Sequence, residues 1–89
     1  MSSLDLHHLE RTILDVKGSR GLAVINVSRQ PAFVFVDVRC GTAWHGWRCL
    51  DGLEPGVRWW TDRAEAWGDA VRVVACGADN GQPIVRVEY

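Results

Sequence analysis

The chain has 89 residues, 47% hydrophobic and 24% charged, which leaves room for one domain, residues 1–89, and not for a second of ordinary size. Ten Lys and Arg against eleven Asp and Glu give a net charge of -1, which excludes a globally basic nucleic-acid or membrane binder but not a local basic stripe. The imbalance is aromatic: five Trp stand against one Tyr and two Phe, in a chain whose core is thin.

Residues 3–17 read as an amphipathic helix, because Leu6, Leu9, Ile13 and Val16 recur at helical spacing on one face. Gly18 is a natural stop. A strand over Thr12–Val16, where β-branched residues cluster, is the rival. Leu22–Val27 reads as a strand, followed by turn chemistry over Ser28-Arg29-Gln30-Pro31. Ala32–Arg39 is the next strand, with Val34, Val36 and Val38 on one face and Phe33, Phe35 and Asp37 on the other. Apolar residues on both faces at its start suit a central strand.

Residues 40–56 are broken by four glycines and one proline, with a short strand expected over Gly46–Leu50. Val57–Trp60 is a fourth short strand. A second helix starts at Asp62, where Asp62 and Glu65 have capping-box spacing. Ala64, Trp67, Val71 and Val74 then share a face, and Gly77 ends it. In the rival reading this helix stops near Asp69, Val71–Cys76 is a strand, and Asn80-Gly81 turns a hairpin into Ile84–Tyr89. Ile84–Tyr89 closes the fold as an edge strand, entered through Pro83. The order α-β-β-β-β-α-β predicts an α+β two-layer sandwich: a mostly antiparallel sheet of 4–5 strands with two helices on one face.

No apolar run approaches the roughly 18 residues of a membrane helix, and the N-terminus lacks the charged and apolar regions of a signal peptide. An odd set of cysteines, Cys40, Cys49 and Cys76, is not a secreted disulfide framework. These features predict a cytoplasmic protein with no membrane partner.

The candidate partner-binding residues are Trp44, Trp47, Arg48, Arg58 and Trp60, since Trp and Arg dominate binding hot spots. Packing of the tryptophans into the core is the plain alternative. Stacking of single-stranded nucleic acid on the same residues, with Arg39 beside them, is a second functional reading. Asp37, Asp51 and Glu54 sit among those arginines and weaken it. Cys40, His45 and Cys49 offer three zinc-type ligands at C-x4-H-x3-C spacing. A fourth would have to come from the remote Cys76, His7 or His8, so buried thiols are the expectation, with no metal and no cofactor. Gly18-Ser19-Arg20-Gly21 matches a loose phosphate-gripping GxxG pattern, though a plain turn into the next strand explains it. No nucleophile elbow, P-loop or paired-His motif is present, so no enzyme is expected.

The short length, the compact α+β layout and the segment Arg58-Trp-Trp-Thr-Asp-Arg-Ala-Glu-Ala-Trp67 resemble small accessory proteins of phages and mobile elements, among them anti-CRISPR inhibitors. The resemblance is one of character over the whole chain and carries over no functional residue. It implies an inhibitor that occupies a surface of a partner protein, such as a CRISPR effector subunit, in the host cytoplasm. Strand addition at Ile84–Tyr89 would make a homodimer.

Overall fold

The computed structural model describes residues 2–78 and 81–89. Eight strands run β1 Ser3–Leu6, β2 Arg11–Asp15, β3 Gly21–Asn26, β4 Ala32–Cys40, β5 Ala43–Leu53, β6 Arg58–Asp62, β7 Ala70–Gly77 and β8 Val85–Glu88. One 3-10 turn, Glu65–Trp67, lies between β6 and β7. All pairings are antiparallel, and they form two four-stranded sheets. The first sheet has the order β1-β8-β3-β6 and the second β2-β7-β4-β5.

The predicted α+β fold with two helices is therefore wrong, and the reason is a competition between two periodicities. Leu6, Leu9, Ile13 and Val16 happen to fall at helical spacing, but the period that folds is two. Leu4 and Leu6 point inward from β1 while Asp5 points out. Leu14 and Val16 are fully buried, whereas Ile13 and Asp15 are exposed. Leu9 breaks any helix here, because it takes a left-handed conformation at φ 65. Its N–H donates to the Ala75 carbonyl, and the Ala75 N–H donates to the carbonyl of Glu10. Two residues thus oppose one, a β-bulge that starts β2. The second predicted helix fails in the same way. Val71, Val73 and Ala75 are fully buried on β7 and alternate with half-buried neighbours. The rival strand over Val71–Cys76 is the one observed.

Ile84–Tyr89 does not supply an edge. β8 lies between β1 and β3 and pairs with both. It makes no hairpin with β7, which pairs with β2 and β4 in the other sheet. Asn80 of the proposed Asn80-Gly81 turn lies outside the described residues. The central placement of Ala32–Arg39 holds: β4 sits between β7 and β5. The strand expected over Gly46–Leu50 is longer, at eleven residues.

The inner faces of both sheets meet in one core. Leu22, Val24, Val85 and Val87 of the first sheet face Leu14, Val34, Val36, Val71 and Val73 of the second. Each such side chain contributes roughly 1.5–3 kcal/mol on burial. Trp67 enters this core from the 3-10 turn and is 1% exposed. Asn26 is the one buried polar residue of the core faces among the described residues. Its amide donates to the carbonyls of Gln30 (2.6 Å) and Leu53 (2.8 Å) and accepts from the Ser28 N–H and hydroxyl. It ties the β3–β4 connection to the end of β5, and with partners for both its oxygen and its nitrogen its burial carries no orphan penalty.

Candidate functional site

The five predicted binding residues do not converge. They fall into three separate groups, and β5 explains two of them. Asp37 pairs with Gly46, yet its neighbour Val36 pairs with Arg48. Trp47 is therefore the extra residue of a bulge, and a bulge re-aims the side chains that follow it. Trp47 turns to the core side and packs edge-on against Trp67, with ring centroids 5.8 Å apart at 89°. Arg48 covers it, its guanidinium 4.2 Å from the Trp47 ring centroid and its Nη1 donating to the Trp47 carbonyl. Trp47 and Arg48 thus cover the core at the edge strand. Trp67 Nε1, behind them, has no hydrogen-bond partner among the described residues.

Trp44 lies on the outer face of the second sheet, half-buried. The guanidinium of Arg39, directly across from it on β4, sits 5.7 Å from its ring centroid. That of Arg72, from β7, sits 5.1 Å away. Arg72 also donates from Nε (3.0 Å) and Nη2 (2.9 Å) to one oxygen of Asp37, its cross-strand partner. This half-buried pair and the indole hold one another in place, the arrangement in which cation–π attraction is strongest. Arg58 and Trp60 belong to the opposite side of the molecule, on the outer face of the first sheet. The Trp60 ring lies against Gly21, where a Cβ would clash with Cζ2 of the indole. Its Nε1 donates to Asp62 (3.3 Å), and the Arg58 guanidinium is 5.3 Å from its ring centroid.

The zinc-type spacing has no matching geometry. His45 pairs with Val38 and Cys49 with Phe35, so successive alternation puts them on different faces. Among the described residues no three His, Cys, Asp or Glu side chains cluster as metal ligands. The thiols are not the buried core groups expected either: Cys40 and Cys49 are exposed and Cys76 is half-buried. The Gly18–Gly21 segment is the turn from β2 into β3, with the Ser19 N–H bonded to the Val16 carbonyl. His8 accepts the Gly77 N–H (2.9 Å) on Nδ1. His7 donates its own N–H to Glu10 (2.7 Å). That bond, then the ring contact of His7, holds the Glu10 carboxyl below its ordinary value.

Sequence reasoning missed the surface that stands out. Registers across the second sheet place Arg11, Val74, Phe35 and Cys49 in one outward row. The next row is Ile13, Arg72, Asp37 and Gly46. Ile13 is 58% exposed and Phe35 38%. Gly46 leaves open space beside Asp37, and a shallow depression there is lined by Phe35, Asp37, Trp47, Arg48 and Cys49. The outer face of the first sheet is more charged: the Asp5–Arg86 pair (3.0 Å), Glu88, Arg58 and Asp62 flank Trp60 and the half-buried Ile25. The signal is present in Phe33-Val34-Phe35-Val36, where both alternating sets are apolar, but that pattern suits a central strand equally and does not say which face meets solvent.

The nested pairing β1–β8, β2–β7, β3–β6 and β4–β5 across two sheets is a jelly-roll arrangement. This β-sandwich class hosts unrelated functions, so function has to be argued from the surface. No family model matches the chain. Neither the curated proteins nor the solved structures contain a match. No helix is long and apolar enough to cross a membrane among the described residues.

Proposed function

We propose that the protein is a non-enzymatic module that binds another protein through the outer face of its second sheet, and inhibits that partner by covering its surface. The observation that carries this reading is the outward Phe35–Val74–Ile13 stripe, exposed at Phe35 and Ile13 and half-buried at Val74, beside the Trp44–Arg72–Asp37 cluster. The solvent side of an antiparallel sheet is ordinarily polar, and an apolar stripe there costs solubility unless something covers it. The cluster gives the stripe a rigid aromatic–arginine border, the chemistry of binding hot spots. The earlier set is revised accordingly. Trp44 stays, Phe35, Val74 and Ile13 join it, and Trp47 and Arg48 become core-sealing residues. Arg58 and Trp60 drop out because they face the other way. The likeness to anti-CRISPR inhibitors leaned on an α+β layout that the chain does not have, so no particular effector is carried over as partner.

The test is capture of a partner from the native host by the wild type, Phe35→Ser and Arg86→Ala, at low and high salt. Phe35→Ser removes exposed apolar area and should weaken binding at least tenfold, about 1.4 kcal/mol. Arg86→Ala, on the opposite face, should not. The complex should persist at high salt, because apolar contacts release few counterions. Binding to nucleic acid that collapses as salt rises would overturn the proposal. So would capture insensitive to Phe35→Ser.

A further inference from the structure

Each sheet ends in two edge strands, and an edge is a row of unpaired backbone groups ready to accept another strand. β5 protects its edge with two bulges, at Trp47 and between Leu50 and Leu53. β2 has a bulge only at its entry, at Leu9 and Glu10, and none along its length. It holds no proline, lysine or glycine and pairs with β7 in unbroken register. The Ala75-to-Glu10 and Val16-to-Asp69 bonds bracket that ladder. Antiparallel alternation then turns the N–H and C=O groups of Thr12 and Leu14 toward β7. Those of Arg11, Ile13 and Asp15 point away to the free edge.

The strand reads Arg11-Thr12-Ile13-Leu14-Asp15, and this is self-complementary. Laid antiparallel on a second copy about Ile13, it sets Ile13 on Ile13, Arg11 on Asp15 and Asp15 on Arg11. The residues brought opposite are the three whose backbone groups are free, so each such pair exchanges two hydrogen bonds. Their side chains also share the outer face, where two opposite-charge pairs would flank a side-by-side Ile13–Ile13 contact that leaves the face itself open. Ile13 is 58% exposed at the strand centre, in a shallow depression with Arg11, Thr12 and Arg72.

We infer that two copies of this chain associate through β2, joining their second sheets into one eight-stranded sheet about a two-fold axis. A two-fold contact needs a surface complementary to itself, and this strand supplies one. β6, Arg58-Trp59-Trp60-Thr61-Asp62, has a similar order of charges. There the central Trp60 is already folded onto Gly21, with Asp62 and Arg58 engaged by its own ring. The groups of β2 are less committed: the Arg11 guanidinium makes no salt bridge among the described residues, and Asp15 uses one oxygen for the Lys17 N–H.

The test is solution mass by sedimentation or light scattering, on the wild type, Arg11→Asp, Asp15→Arg and the double variant carrying both changes. Circular dichroism on each sample reports folding. The wild type should show twice the 9.9 kDa chain mass. Arg11→Asp should stay folded and become monomeric, because two pairs of carboxylates then face each other. The double variant should recover the dimer, since each opposite-charge pair is restored with its sense reversed. Ile13→Lys, which places like charges at the centre, gives a second monomeric variant should either single exchange misfold. A wild type that is monomeric up to millimolar concentration overturns the inference. A dimer unaffected by Arg11→Asp and Ile13→Lys overturns it as well, and places the contact elsewhere.

Discussion

Leu9 is the residue least suited to its place. It is 70% exposed and sits at φ 65. A left-handed conformation costs an L-residue other than glycine or asparagine roughly 1 kcal/mol. The side chain packs against nothing that repays this, and the bulge needs only its backbone N–H. Leu9→Gly is therefore expected to stabilise the protein by about 1 kcal/mol, less the extra freedom glycine gives the unfolded chain. The urea midpoint should rise at unchanged slope. A midpoint that stays put or falls would show that the leucine side chain contributes contacts of its own. Asn26 is the opposite case, a polar residue whose burial is justified by partners on both ends of its amide. The two residues show how one strand-rich chain places its exceptions: a strained leucine where the backbone must turn, a satisfied amide where two connections must meet.

At the scale of elements, β5 decides what the tryptophans do. One extra residue at Trp47 sends that indole to the core side, while Trp44, three residues earlier, remains on the outer face. Trp47→Ala is expected to cost about 2–3 kcal/mol, because it removes the ring packed on Trp67 and opens the core at its edge. Trp60→Ala should cost under about 1 kcal/mol, since that ring lies on an outer face, against Gly21 and between the exposed Arg58 and Asp62. Thermal melts of the two variants check the order, and equal losses would contradict it. The bulge also marks how far the elements were legible. Strands β3, β4 and β6 are legible because short apolar, β-branched or aromatic runs stand there between turn residues, with no helical spacing to compete. β1, β2 and β7 were hidden by chance helical spacings, although Thr12-Ile13-Leu14 and Val71-Arg72-Val73 carried the period of two that folds. The position of Trp47 was not legible at all. A bulge depends on the register between two strands, and register appears only once their pairing is known.

At the scale of the molecule, a sandwich closed by its own first and last strands replaces the layered sheet and helices that the sequence suggested. Nothing local announces that closure. Ser3 pairs with Glu88 and Leu6 with Val85, contacts between residues that no spacing rule connects. The candidate surface follows from the same topology. Phe35 and Val74 come from distant parts of the chain and become neighbours only when β4 and β7 lie side by side.

The pairing of β1 with β8 extends to the last described residues at both ends, for Ser2 and Tyr89 exchange hydrogen bonds of 2.8 and 2.9 Å. Topologically the stretch from Ser2 to Tyr89 is almost a ring with a single cut. A short linker should join the two ends and allow a new opening in the exposed turn Glu54–Val57, and this permuted chain should melt cooperatively near the parent temperature. Loss of cooperative melting would mean that the order of synthesis, and not the contacts alone, sets the fold. The neighbouring Ser2 and Tyr89 also make the domain between them a cassette. It can be set into a loop of a carrier protein without prising that loop apart, entering and leaving through one gap.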